Sequence, residues 1–323
     1  MNQTSKLERN ISNDGGSINL NELKGYEYIV DTSGETKAVQ RSTGEVTETV
    51  WMCVPIGSRI YTPESLASRN DYLNQKENND LRRASNKDLG KFFFVSHDED
   101  FKDLLPQTVT RLIFLNTFIN YENNKLMLTE RTPMQRKDLS KVLGVSKAVI
   151  TGFWKEVSPK YIQEEDDGLI FTNTDIFIRR RLNQRGKYHP YQKFYINGIR
   201  TLYRATDVTN HKHLGYVFKM LPFVNLEFNV LCKNPMEKDL SQIEFLSLAE
   251  FCTAIDYDIS QLNRLLNIYK AIKFNVNGAQ EKFCAFTYDG IDRKSARIFV
   301  NPHILYNGTD YNRVKVLGAF CKD

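Results

Sequence analysis

Residues 138–157 read DLSKVLGVSKAVITGFWKEV. Leu139 and Leu143 stand one helical turn apart, so they share the inner face of a first helix that begins near Met134. Gly144 supplies the left-handed backbone of a tight helix-to-helix turn. Val145 plugs the angle between the helices, and Ser146 is an N-cap. A second helix then places Val149, Ile150, Phe153 and Val157 for burial, with Lys147, Thr151 and Lys155 elsewhere on the cylinder. This is a helix-turn-helix pattern, whose second helix suits a major groove. The stretch KYIQEEDDGLIFTNTD follows as strand, Asp-Gly turn and strand. A helix-turn-helix plus a β-hairpin predicts a winged helix. Glu164, Glu165, Asp166 and Asp167 lie at the hairpin tip, where like charge opposes contact with phosphate.

Shifted by 112 residues, the pattern recurs in SLAEFCTAIDYDISQLNRLLNIYKAI. Leu143 falls on Ile255, Ile150 on Leu262, and Ser146 on Asp258, itself a good cap. Asp256 replaces the turn glycine, and aspartate tolerates the left-handed region better than most residues. Upstream, RLIFLNTFIN (111–120) parallels GYVFKMLPFVN (215–225) at an offset of 104. Downstream, Ile170/Phe171/Asn173/Ile176 recurs as Ile298/Phe299/Asn301/Ile304 at an offset of 128. The same pieces occur twice in the same order. The expected fold is therefore α+β, with tandem winged-helix domains at 105–182 and 206–323. A basic linker helix (183–205), a β-rich N-terminal segment (21–104) and a disordered tail (1–20) complete the expected organisation.

The net charge is only +5, so the distribution of charge matters more than its sum. Arg179 to Arg204 holds eight basic residues and no acid. Tyrosines and phenylalanines interleave with them, so the block reads as a cationic bridge between the domains, or as a solvated helix whose aromatics pack on both.

Chemistry is not evident. There is no phosphate-binding glycine loop and no H-E-x-x-H. His211-Lys212-His213 reads as an exposed basic turn, and the acidic 97–103 as a solvated loop. Five scattered cysteines include no C-x-x-C pair, which argues against a disulfide framework or zinc site and for small core residues. No apolar run reaches the roughly 18 residues needed to span a bilayer, and the polar N-terminus lacks a signal-peptide core. The expected protein is cytoplasmic and nucleoid-associated, with no catalytic residue, metal or cofactor.

STGEV (42–46) and VNPHILYNGTD (300–310), with Asn301, Pro302, Leu305 and Gly308, resemble two ends of the RepL-type replication initiators of Gram-positive plasmids and related phage proteins. This chain is about twice the expected length and carries two winged helices where the family has one. The resemblance implies origin binding and recruitment of replication machinery. Phage or mobile-element transcription regulation and a winged-helix protein-interaction scaffold stay open beside it. The expected partner is double-stranded DNA, with host replication or transcription machinery behind it and the oligomeric state open. Lys147, Thr151, Lys155, Ser260, Gln261, Asn263 and Arg264 would face bases or nearby phosphates, with Gln261 and Asn263 suited to adenine and Arg264 to guanine. Arg179, Arg180, Arg181, Arg185 and Lys187 would hold phosphate from the bridge, as would Arg293 and Lys294 from the second wing turn.

Overall fold

Alternating apolar and polar residues build strands near the N-terminus, and a computed structural model shows how they pair. It describes residues 17–19, 26–30, 36–47, 59–61, 63–173, 175–179, 190–288, 293–318 and 320. The chain divides into two compact units, 1–80 and 81–323. In the first, β1 (Ser17–Asn19) runs parallel to β5 (Arg59–Tyr61), while β2 (Tyr26–Val30), β3 (Thr36–Gln40) and β4 (Val46–Thr47) form an antiparallel meander. Residues 17–19 are thus strand rather than tail, and residues 1–16 lie outside the described residues. The β-rich segment expected over 21–104 also contains a long helix in its polar stretch. Helix α1 (Pro63–Leu89) occupies much of it, opened by a proline at its first position and rich in good helix formers.

The second unit begins within the last turns of α1. It continues through β6 (Phe92–Ser96), α2 (Pro106–Asn116), a 3-10 turn (Arg136–Asp138), α3 (Leu139–Leu143), α4 (Lys147–Val157), β7 (Ile162–Glu165), β8 (Gly168–Phe171) and β9 (Phe177–Ile178). The series then restarts with β10 (Tyr191–Tyr195), α5 (Ile196–Ala205), α6 (His211–Lys219), α7 (Leu248–Ala254), a 3-10 turn (Ile259–Gln261) and α8 (Leu262–Ala271). It ends with β11 (Lys273–Val276), β12 (Ala279–Lys282), β13 (Cys284–Thr287), β14 (Arg297–Val300) and α9 (Tyr311–Gly318). The architecture is mixed α+β with small sheets.

Two strands organise the duplication. β6 and β10 pair antiparallel, with Phe94 opposite Lys193, Ser96 opposite Tyr191 and Phe92 opposite Tyr195. Advancing 99 residues turns Ser96 into Tyr195 and Phe92 into Tyr191, so the pairing maps onto itself. Any antiparallel pair has this local two-fold; the strands' outer neighbours extend it to the repeats. Ser96 N–H donates to Ile176 O (2.8 Å), and Tyr195 N–H donates to Ile304 O (2.9 Å).

The helices repeat this symmetry. Thr110 Oγ1 donates to His211 O (2.7 Å), while a β-carbon on Gly215 would run into Pro106 O. A shift of 105 residues carries Pro106 to His211 and Thr110 to Gly215, so α2 and α6 cross reciprocally.

Backbone hydrogen bonds give the true register of the repeat. Asn124 and Asn229 both take a left-handed conformation (φ 59° and 54°), which asparagine tolerates. Leu126 N–H donates to Leu169 O (2.8 Å) as Leu231 N–H does to Ile298 O (3.0 Å). The upstream offset is therefore 105, not 104, and Phe218 corresponds to Ile113. A slip of one residue keeps aromatics near aromatics on a helix, so letters alone do not resolve it. In β8 and β14 the ladder likewise aligns Leu169 with Ile298, one residue off the letter match, because the core faces must coincide.

The recurring asparagines have a shared role. Asn173 Oδ1 accepts from Ile176 N–H (3.2 Å), and Asn301 Oδ1 accepts from His303 N–H (2.9 Å). Each bends the chain from a hairpin strand back to the central sheet.

Between α8 and β13 the second repeat inserts the hairpin β11–β12, which the sequence reading missed. Its turn residues, Asn277 (φ 49°) and Gly278 (φ 84°), are the pair a two-residue hairpin requires. One apolar core runs through both repeats, with Phe194 contacting Phe93 (5.6 Å) and Phe218 (5.8 Å).

Candidate nucleic-acid interface

Each helix pair is assembled by local signals. Gly144 turns the first at φ 64°, and Ser146 accepts from Val149 N–H (3.4 Å). Asp256 turns the second at φ 54°, and Asp258 accepts from Ser260 N–H (2.9 Å). The second also has a capping box between Ser247 and Glu250. A hydrogen bond from Lys233 (2.7 Å) and those from Ser247 hold the Glu250 carboxyl down to about 2. Leu139, Leu143, Ile150, Phe153 and Val157 are buried in the first pair, and Leu248, Phe251, Leu262, Leu265, Leu266 and Tyr269 in the second.

The remaining faces meet solvent. On α4, Lys147, Thr151 and Lys155 are exposed, beside Ala148 and Gly152. Val149, expected inside, is 37% exposed because it lies away from the Ile150/Phe153/Val157 stripe. Arg136 lies over the Trp154 ring (4.7 Å). Around α8, Ser260, Gln261, Asn263 and Arg264 are exposed, and so are Asn267 and Lys270, which the sequence reading passed over. Their signal was available: Asn267 stands one turn beyond Asn263. The Ser260 hydroxyl donates to Asp258 (2.7 Å), which makes it part of the cap.

Arg293 and Lys294 are exposed in a 3-10 turn between β13 and β14. Arg293 Nη1 donates to Asn263 Oδ1 (3.2 Å), so this turn lies against α8. At the first hairpin tip, Lys125 pairs with Asp167 and stands 3.9 Å from Glu165.

The basic block differs from the expected linker helix. Residues 191–195 are a strand buried along its whole length, and the helix starts only at Ile196. Burial pulls the Lys193 amine down to about 8, with Arg82 adding to the effect, and its Nζ donates to Asn86 Oδ1 (3.0 Å). Arg179 donates to Ile119 O. Arg200 donates to Thr117 O (2.8 Å) and lies over the Phe118 ring (4.4 Å). Arg179 and Arg200 are thus half-buried and bolted to the C-terminal end of α2, whose carbonyls attract cations. Arg204 alone among the described members of the block is exposed. Arg180, Arg181, Arg185 and Lys187 lie outside the described residues.

His211 and His213 are corrected as well. They sit buried in α6 while Lys212 is exposed, and His211 Nε2 lies 3.0 Å from Thr206 O. Packing of α6 against α2 draws the imidazoles inward, and burial lowers both, His213 to about 4. Among the described residues, no group of three His, Cys, Asp or Glu side chains could hold a metal ion, and no helix is long and apolar enough to cross a membrane. Cys232, Cys252 and Cys284 are buried, and burial raises all three thiols, Cys232 and Cys252 to about 11.

The chain matches no family model, no curated protein and no solved structure.

An open groove runs beside α8, with Asn263, Arg264 and Asn267 on one wall and Thr206, Asp207 and Asn210 on the other. A second groove, lined by Lys141, Gly144, Arg204 and Thr206 among others, lies against the first helix pair. Thr206 borders both, so the segment after α5 separates the two helix pairs. The second groove touches α3 rather than α4, whose polar and cationic face is exposed outside it.

Proposed function

We propose that the protein binds double-stranded DNA through two winged helices, formed by α3–α4 with β7–β8 and by α7–α8 with β13–β14, and initiates replication of a plasmid or phage. The observation that carries this reading is the two-fold relation between the repeats. A chain built this way would carry two recognition helices, as a symmetric dimer does. Linking both helices in one body also raises affinity through effective concentration. The two-fold relation favours a site with two half-sites in inverted orientation. Replication, rather than transcription control, rests on the resemblance to RepL-type initiators.

Fluorescence anisotropy on a selected duplex tests the binding. Wild-type affinity should fall steeply with salt. Lys147→Ala with Arg264→Ala should weaken binding at least about tenfold, since a good base contact alone is worth about 1–3 kcal/mol. Binding that ignores salt, or is untouched by both substitutions, argues instead for a scaffold that binds protein. Mapping the bound site decides the biology: an origin in the protein's own replicon favours initiation, and scattered promoters favour regulation.

Asp207 is the one acid on the groove beside α8. Removing its charge with Asp207→Asn should tighten duplex binding a few-fold at low salt and have little effect at high salt. Titration at two ionic strengths checks this; an unchanged Kd at low salt would show that no phosphate approaches that wall.

A further inference from the structure

We infer that Asn267 is a base-reading residue of the second recognition helix, taking an adenine edge in the major groove, whereas Asn263 is not. This rests on the DNA-binding reading above.

Helix α8 buries Leu262, Leu265, Leu266 and Tyr269. At 3.6 residues per turn, the centre of the opposite face falls on Arg264, Asn267 and Ala271, all exposed. Asn263 lies toward the flank. Two-point recognition of adenine needs both halves of a carboxamide: the oxygen accepts from N6 and the nitrogen donates to N7. Asn263 Oδ1 already accepts from Arg293 Nη1 (3.2 Å), which turns its amide toward the β13–β14 turn and takes one of the oxygen's two lone pairs. Asn267 has no hydrogen-bond partner among the described residues, so both halves of its amide are available.

Its neighbours on the stripe support the role. Arg264 precedes it by three residues, a rise of about 4.5 Å along the helix, between one and two base-pair steps of about 3.4 Å. Ala271 continues the stripe one turn later, on the open groove beside α8.

The first repeat offers no counterpart. Shifted back 112 residues, Ser260, Asn263, Arg264 and Asn267 become Ala148, Thr151, Gly152 and Lys155. That face holds a lysine, a threonine and small residues, but no carboxamide or guanidinium. Base discrimination is therefore concentrated in the half-site under α8, while α4 contributes phosphate contact and close approach.

Selection from a randomised duplex pool with the full chain, followed by titration of Asn267→Ala and Asn263→Ala, tests this. Wild type should enrich a site with a fixed A·T pair in one half. Asn267→Ala should lose about tenfold in affinity for that site and lose the preference at that one pair. It should keep its salt slope and its thermal melt, because the position is exposed. Asn263→Ala should keep the preference. If Asn267→Ala selects the same site as wild type, or if wild type binds duplex with no base preference, the inference fails while DNA binding stands. If wild type binds no duplex, both readings fail.

Discussion

Alanine at position 215 is expected to lower the melting temperature of the second unit by roughly 10 °C. A β-carbon there falls well inside contact distance of the Pro106 carbonyl, which is backbone and cannot rotate away. Helices α2 and α6 must separate, and overpacking of this kind costs about 3 kcal/mol. At the same crossing Thr110 bonds to His211 O (2.7 Å), and that contact would stretch too. The effect reaches beyond stability. This crossing and the β6–β10 pair hold the two repeats in their two-fold relation, so duplex affinity should fall further than stability alone explains. Differential scanning calorimetry and anisotropy on the same preparation measure both. Gly198→Ala, whose β-carbon would strike His303 O, is the matched case within the second repeat. A Gly215→Ala protein that melts and binds like wild type would remove the close crossing from the account of the fold.

The second large effect concerns acid. Glu281 on β12 is buried, and its carboxylate accepts from Asn301 Nδ2 (2.9 Å) and lies 2.8 Å from His303 Nδ1 and 3.6 Å from Lys315 Nζ. Burial alone would raise its pKa. Hydrogen bonds from His303 and Asn301, with the charges of His303 and Lys315, outweigh that and hold the carboxyl at about 2. A depressed acid contributes stability above its unfolded pKa of about 4.3 and loses it as pH falls toward the folded value. The difference corresponds to about 3 kcal/mol, withdrawn between roughly pH 5 and pH 2. Glu281→Gln should cost a similar amount at pH 7, because His303 and Lys315 lose their carboxylate. It should also flatten the acid side of the stability curve. Urea unfolding at pH 7, 5 and 3.5 compares the two proteins, and equal pH slopes would place the acid sensitivity elsewhere. The inserted hairpin, the turn after β14 and α9 all meet at this carboxylate, so its loss should loosen all three.

The two helix pairs were legible because their signals are local. A left-handed residue at 144 or 256, a cap at 146 or 258, and apolar spacing act within a few residues of one another. The Asn277-Gly278 hairpin was equally local, and its signal went unread. Strand β10 is not legible in the letters, because YQKFY sits in a basic block and lacks clean alternation. It is buried on both faces, so Lys193 and Gln192 go inside with the tyrosines. His211 and His213 looked like an exposed turn because the partner helix that covers them lies about 100 residues away.

The repeated helix-pair pattern, the Asn-anchored turns and the polar faces of α4 and α8 are properties of the sequence by itself, because each depends on neighbours within a turn or two. The tertiary structure alone decided that the repeats face each other across a two-fold axis, that Arg179, Lys193 and Arg200 work inside the protein, and that Asn263 is taken by Arg293. Those outcomes depend on burial and hydrogen bonding between segments far apart in the chain, where desolvation and steric fit outweigh local preference.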